Sequence, residues 1–154
     1  MFTSHGVLSW LPDLHAWARH AAACVVPGGQ LYLSESHPLI WALAEQGAVM
    51  EDALKLGHTY LASGQPLTFE EPGSYADRAS PTTHNQTVEW AWGLGDVVNA
   101  VLASGLQLVS LHEHPLGFFP YTEDFIERPD GHTQLPPALH GRFPLTFSLR
   151  ARRS

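Results

Sequence analysis

The first 35 residues constrain the fold more than any other part of the sequence. Residues 1–4 have the pattern of an extended segment, which Gly6 interrupts. Apolar side chains then recur at helical spacing over residues 14–25, with Asp13 placed to cap the helix and "PGG" placed to end it. Residues 30–35, "QLYLSE", follow as a strand. A strand, a helix and a strand in so short a stretch predict a parallel β-α-β unit with a right-handed crossover.

The α/β pattern resumes after a long interruption. Glycine and proline recur from residue 36 to about residue 91, and we interpret this stretch as a substrate-side insertion. A second helix is expected over 97–104 with Asp96 as its N-cap, followed by strands over 106–112 and 145–150. The loop between these two strands holds six prolines, which disfavour a crossover helix. We therefore expect the two strands to pair antiparallel.

Length and composition favour one globular unit. The chain has 154 residues, of which 44% are hydrophobic, enough for one ordinary core. The net charge of -7 and the sparse Lys and Arg argue against a nucleic-acid partner. The single cysteine, Cys24, rules out an intrachain disulfide framework, and no apolar run approaches the roughly 20 residues of a membrane span. We expect a cytoplasmic protein with neither a nucleic-acid nor a membrane partner.

Several short motifs resemble those of a known family in both order and spacing. They are Ser4, His5 and Gly6 before "WLPD" at residues 10–13, "PGG" at 27–29, "ASGL" at 103–106 and the closing "PLTFSLRARR". This series is similar to the second half of the class I, Rossmann-like S-adenosylmethionine-dependent methyltransferases. The resemblance implies an α/β fold with a partial Rossmann-like methyltransferase sheet, in which parallel strands are joined by a C-terminal antiparallel strand pair. It also implies methyl transfer from S-adenosylmethionine to a small-molecule acceptor.

The first part of that family's pattern has no counterpart here. The family's Gly-rich loop after its first strand is absent, and "WGLGD" at residues 92–96 is interpreted as a helix-entry turn instead. We therefore expect residues 1–154 to be a C-terminal half without the cofactor-binding half, inactive alone and weak in binding S-adenosylmethionine. Self-association through the exposed N-terminal strand edge is also expected. So is an exposed apolar stripe of Leu14, Trp17 and Ala21.

The resemblance assigns Ser4, His5 and Gly6 to cofactor binding. Glu35 and His37 follow the next strand, at the carboxyl ends where open α/β sheets bind ligands, and either could act as a general base. Holding an acceptor in line is often sufficient for methyl transfer, so we favour a shaping role for His37. The substrate-binding candidates are Trp10, His37, Tyr75 and Trp90. Core packing is the alternative for the aromatic ones.

Two other functions stay open at this point. A non-catalytic binding or interaction module would keep the sheet without the cofactor half. The ten histidines also permit a metal-dependent enzyme, since His112 and His114 lie two apart on one strand face. Such a site would need His37, His84 or His132 as a further ligand, and we predict no metal site. A measurement of cofactor binding would distinguish the methyltransferase from the binding module. A measurement of metal content would identify the metal-dependent enzyme.

Overall fold

A computed structural model describes residues 1–44, 47–50, 53–70, 72–73 and 80–154. Its helices are α1 (Leu14–Ala23), α2 (Pro38–Trp41) and α3 (Leu94–Ala103), with a 3-10 helix over Leu8–Trp10. Its strands are β1 (Phe2–Ser4), β2 (Gln30–Ser36), β3 (Val49–Met50), β4 (Ala53–Leu54), β5 (Pro66–Glu70), β6 (Gln86–Trp90), β7 (Gln107–His114), β8 (Ile126–Glu127), β9 (Thr133–Gln134) and β10 (Thr146–Arg152).

The main sheet has four strands in the order β1-β2-β10-β7. β1 and β2 are parallel, and β10 runs antiparallel to both β2 and β7. This confirms the predicted fold class, including the antiparallel pairing of the last two strands. It follows that β1, β2 and β7 run in the same direction, so their carboxyl ends lie at one edge of the sheet.

Helix α1 forms where the apolar periodicity predicts it. The carboxylate of Asp13 accepts the N–H of Ala16 at 2.8 Å, which confirms the predicted N-cap. The expected exposure of its apolar stripe is wrong, because Leu14 and Ala21 are each 2% exposed and Trp17 packs against the core. The reason is that α1 and α3 pack against each other and cover the same face of the sheet.

Helix α3 begins earlier than the sequence predicts. Its N-cap is Gly93, so the prediction of Asp96 as the N-cap is wrong, whereas "WGLGD" is indeed the entry to the helix. Asp96 is the third residue of the helix, and its carboxylate accepts the Gly93 N–H at 2.9 Å. Among the helices of the described residues, none combines the length and the apolar character that crossing a bilayer requires.

The core lies between the helices and one face of the sheet. Leu33 on β2 and Phe147 and Leu149 on β10 are no more than 1% exposed. Their neighbours in sequence point to the opposite face, which carries Tyr32 and Arg150 among other polar or aromatic side chains. This alternation is typical of a sheet with one buried face and one solvated face. That second face is called the open face below.

The predicted insertion contains more regular structure than the sequence suggests. Its described residues form α2 and two hairpins, β3–β4 and β5–β6. Of these strands the sequence predicts only the last, because "TVEWAW" at residues 87–92 has the pattern of a short strand that closes the insertion. The paired strands of the β5–β6 hairpin are at most half-buried along their whole length, so they lack the strong apolar alternation that identifies a strand.

Candidate functional site at the carboxyl edge of the sheet

The carboxyl ends of the three strands that share a direction bring the predicted site residues together. His5 and Gly6 follow β1, and His37 follows β2. The loop of residues 115–145 follows β7 and covers the same edge. This edge is called the carboxyl edge below.

Glu35 holds the turn that follows β1. Its side chain is 3% exposed, and its carboxylate accepts the N–H groups of Val7 at 2.8 Å and Leu8 at 3.3 Å. It also accepts the N–H of Gly6 and, at 2.9 Å, that of Ser36. Gly6 has a φ of +75°, a left-handed backbone conformation that glycine adopts without steric strain. The resulting bend directs three successive N–H groups at one carboxylate. Both oxygens of Glu35 are therefore occupied by backbone donors.

Both the backbone and the ring of His5 have contacts within the protein. Its N–H donates to the carbonyl of Ser34 at 2.9 Å, which extends the pairing of β1 with β2. Its ring lies against Phe118 with 3.5 Å between ring centroids. A φ of 31° is unusual for a residue other than glycine and costs on the order of 1 kcal/mol, which these contacts offset. The backbone N–H groups of His5 and Gly6 thus both have protein partners.

His37 links α2 to β7. Its Nδ1 accepts the N–H of Leu39 at 3.1 Å and so caps α2, while its Nε2 lies 2.9 Å from Oε1 of Glu113. The contact with Glu113 is close, but the two groups are not aligned as in a well-formed hydrogen bond. Because Nδ1 is an acceptor, the hydrogen-bond network assigns the proton of the neutral ring to Nε2. Burial lowers the pKa of His37, and the neighbouring Glu113 only partly opposes this.

Acidification should destabilise the protein through His37. Burial lowers its pKa below the ordinary 6.5, so the unfolded chain binds the proton more tightly. This contribution to the free energy of unfolding is complete above about pH 6.5 and is lost as the pH falls below it, by at most about 1.4 kcal/mol per pH unit. Urea unfolding at about pH 7.5 and about pH 5.5 measures the loss.

The comparison that isolates this effect is between His37→Gln and His15→Gln. His15 is exposed on α1, so the variant at that position should keep the pH dependence of the wild type. His37→Gln should lose less stability on acidification than the wild type does, since no ring remains to be protonated. An unchanged pH dependence in His37→Gln would contradict this assignment.

Ser36 and Tyr121 form a further contact at the carboxyl edge. The Ser36 hydroxyl lies 2.8 Å from the Tyr121 hydroxyl, and the Tyr121 ring packs against Phe119 and Trp41. Burial raises the pKa of Tyr121 to about 12, so it stays a neutral phenol. Neither Tyr121 nor Glu113 is among the sequence-predicted site residues. Two features of the sequence could have identified them. The aromatic run "GFFPY" after β7 contains Tyr121, and the alternation along β7 places Glu113 on the same face as Leu111.

A small cavity lies beside Glu35 and Ser36. Three tryptophans contribute to its wall, Trp41, Trp90 and Trp92, together with Leu8 and Ser9. Its volume of about 20 Å³ is close to the minimum for one ordered water. The buried Ser9 hydroxyl is a polar group of this wall without a hydrogen-bond partner among the described protein atoms. In this conformation the cavity suits a water molecule rather than a small-molecule acceptor.

The remaining predicted site residues are not brought together. Trp90 lines the cavity, but Trp10 is 43% exposed at the end of the 3-10 helix and lies outside its wall. Tyr75 lies outside the described residues. His114 contacts the Ser148 hydroxyl at 3.0 Å on the open face. Within the part of the chain that the structure describes, no three His, Cys, Asp or Glu side chains are placed to hold a metal ion.

The described residues do not form a complete site for S-adenosylmethionine. The backbone donors of the turn after β1 are used by Ser34 and Glu35, and the nearby cavity admits little more than a water molecule. The side chain of His5 is exposed at this turn, but one side chain is not enough to bind both the nucleoside and the amino-acid part of the cofactor. No chemical step that uses this cofactor can therefore be derived from these residues alone.

Comparison with other proteins shows which solved structures have a similar fold. No protein-family model and no curated protein matches the sequence. The structure matches a solved protein of Listeria monocytogenes, described as an S-adenosylmethionine-dependent methyltransferase, with a TM-score of 0.61 and 12% identity, over 99% of this chain and 60% of that chain. A second one, from Mesorhizobium loti, gives a TM-score of 0.58 and 18% identity over the same shares. This chain thus spans 60% of the length of both proteins, and its mixed α/β fold is similar to that part of theirs.

Proposed function

We propose that the chain forms the acceptor-side part of an S-adenosylmethionine-dependent methyltransferase that acts on a small molecule. The observation that carries the proposal is the fold match over 99% of the chain to two proteins described as such enzymes. Because the match covers only 60% of their length, the cofactor's binding groups would come largely from polypeptide beyond the matched region. A cytoplasmic location, favoured by the free thiol of Cys24, belongs to the same proposal.

In this proposal Glu35 and His37 position the backbone and do not transfer protons. Four backbone N–H groups occupy the Glu35 carboxylate, and His37 uses Nδ1 to cap α2 and turns Nε2 toward Glu113. Neither side chain presents a free lone pair to the cavity. This division of roles suits methyl transfer, because an acceptor held in line with the methyl group often needs no general base.

The acceptor would lie against the three tryptophans of the cavity wall. The indole rings of Trp41, Trp90 and Trp92 make this wall largely apolar, which favours an acceptor with an apolar ring or chain. An acceptor larger than a water molecule would fit if the β5–β6 hairpin, which carries Trp90, moved outward. Closure of the hairpin over the acceptor would then exclude water from the reacting groups.

The 154-residue chain alone should bind S-adenosylmethionine weakly or not at all. The physical reason is that its turn after β1 has no unpaired backbone donors among Gly6, Val7 and Leu8. Isothermal titration calorimetry measures the binding directly, with S-adenosylhomocysteine as the matched ligand that lacks the sulfonium charge. Affinity in the micromolar range for either ligand would show that the partial fold is sufficient for cofactor binding.

Methyl transfer itself is tested with a radiolabelled methyl donor. The assay compares the 154-residue chain with the longest polypeptide that its gene encodes, using a panel of small aromatic and aliphatic acceptors. Transfer by the longer polypeptide only is the expected result. The incomplete cofactor site favours a second candidate, a non-catalytic binding module. Acceptor binding without transfer in either polypeptide would support that candidate and overturn the first.

A further inference from the structure

A groove lies where α1 and α3 end, at the edge of the sheet opposite to the carboxyl edge. Its wall comes from the second half of α1, the turn after α3 and the residue after β10, and it includes Arg19, Ala22, Ala23, Ser104, Leu106 and Arg153. Its volume is about 190 Å³, whereas an engineered cavity of about 150 Å³ already admits benzene. The groove therefore has room for a small organic ligand. It is called the amino-edge groove below.

Arg153 is fixed in the wall of this groove by both its backbone and its side chain. Its N–H donates to the carbonyl of Gly29 at 3.0 Å, and its carbonyl accepts the N–H of Gly28 at 2.9 Å. Its Nη1 donates to the carbonyls of Val25 at 2.8 Å and Ala22 at 3.2 Å, at the end of α1. These bonds use only one of the three guanidinium nitrogens. The guanidinium is thus held in place while Nε and Nη2 keep donors for a ligand.

Arg19 supplies a second guanidinium to the wall. It is exposed on α1, and no hydrogen bond or ion pair joins it to another of the described residues. The carboxylate of Asp13 acts on it only through charge, because that carboxylate caps the first turn of the same helix. The N–H donors of Arg19 are therefore available to a bound molecule.

The charge of the wall is not balanced by carboxylates. Of the described residues that form it, two are arginines and none is Asp or Glu, in a chain with 15 acidic residues and only eight Lys and Arg. The buried Glu35 and its neighbour Glu113 lie near the opposite ends of their strands. Ser154, which follows Arg153, is exposed and lies outside the wall. Two guanidiniums without a carboxylate favour an anionic ligand.

The two helix ends at the groove do not cancel this positive charge. A helix C-terminus carries partial negative charge on its unpaired carbonyls. Arg153 bonds two carbonyls at the end of α1. At the end of α3, the carbonyl of Val101 accepts the hydroxyl of Ser104 at 2.6 Å, and the carbonyl of Leu102 accepts the N–H of Gly105 at 3.1 Å. These carbonyls already have donors, so they oppose an anion less than unpaired ones would.

We propose that the amino-edge groove binds a phosphate group, either as the free ion or in a small phosphate monoester. A phosphate monoester carries a charge of about -1.5 to -2 at pH 7, which matches two guanidiniums better than a single carboxylate does. Its oxygens also suit the planar fork of arginine donors. Ala22, Ala23 and Leu106 give the wall an apolar part that would contact the rest of an ester. This inference does not depend on the proposed methyl transfer.

Nuclear magnetic resonance titration of the ¹⁵N-labelled 154-residue chain tests the proposal. The probes are inorganic phosphate and phenyl phosphate, at pH 7.5 and at an ionic strength held constant with sodium chloride. The backbone N–H signals of Ala23 and Gly105 should shift and saturate with both probes. Tighter binding of phenyl phosphate would identify an ester as the ligand, and equal binding would identify the free ion. Shifts that do not saturate, or that sodium chloride alone reproduces, would overturn the proposal.

Arg19→Gln should weaken the binding of either probe by roughly tenfold or more, because it removes one of the two charged donors. Its melting curve should match the wild type, since Arg19 is exposed on its helix. Arg152→Gln is the matched control, because Arg152 is exposed on the open face of β10 and lies outside the groove. It should bind phosphate as the wild type does. An unchanged affinity in Arg19→Gln, or an equal loss in both variants, would contradict the assignment of this groove.

Discussion

Glu35→Ala should lower the free energy of unfolding by about 3 kcal/mol or more, the largest effect expected of any polar substitution at the carboxyl edge. The carboxylate is 3% exposed and accepts four backbone N–H groups. Each donor left without a partner in a buried place costs about 1–3 kcal/mol, and water can reach only some of them. A loss of this size is a large part of the roughly 5–15 kcal/mol that stabilises an ordinary domain.

Urea unfolding followed by far-ultraviolet circular dichroism measures this loss. Glu35→Gln is the informative second variant, since it keeps the side-chain size but exchanges one acceptor oxygen for an NH₂ group that faces backbone donors. It should fall between the wild type and Glu35→Ala. Glu127→Ala, at an exposed position on β8, is the control and should change the stability by no more than about 0.5 kcal/mol. A similar small change in Glu35→Ala would mean that Glu35 does not hold the turn.

Phe147→Ala should lower the free energy of unfolding by about 3–5 kcal/mol. Phe147 is 1% exposed on β10, between Glu35 of β2 and Glu113 of β7. Its ring also meets the edge of the His37 ring, with 6.3 Å between centroids. Truncation would leave a cavity beneath the carboxyl edge and would remove the packing that holds His37 near Glu113.

Phe2→Ala is the matched control for this substitution, because Phe2 is 61% exposed and loses little buried area. It should change the stability of the monomer by no more than about 0.5 kcal/mol. The measurement is again urea unfolding, at a protein concentration low enough to keep both variants monomeric. If Phe147→Ala and Phe2→Ala proved equally mild, the core would not be centred on β10, and the sheet order described above would be in doubt.

The contacts that define the carboxyl edge join residues far apart in sequence. Glu35 lies 27 to 29 residues from the three N–H groups that it accepts from the turn after β1. Ser36 lies 85 residues from Tyr121. Residue types at these positions indicate polar and aromatic groups near strand ends, but every carboxylate in the chain could accept N–H groups equally well. Only the adjacency of β1 and β2 selects Glu35 for this turn.

The local features were determined by the sequence alone. Helix α1 with its Asp13 cap, strand β2 after "PGG" and the half-buried alternation of β10 each depend on residues within a few positions of one another. Such features survive in almost any tertiary context, because the hydrogen bonds and side-chain periodicity that produce them are local. The spacing of strand, helix and strand also predicted the parallel pairing of β1 with β2, and the proline-rich loop predicted the antiparallel pairing of β7 with β10; the structure confirms both.

The tertiary structure alone decided which groups meet. The packing of α3 against α1 buries the stripe of Leu14 and Ala21, and placing β10 between β2 and β7 puts Glu113 close to His37. The same placement gives His37 a lowered pKa by burying it, whereas the sequence shows only a histidine beside a glutamate. The physical reason is that burial and pairing depend on how the strands are ordered in space, and that order is set by the packing of the whole core rather than by any one segment.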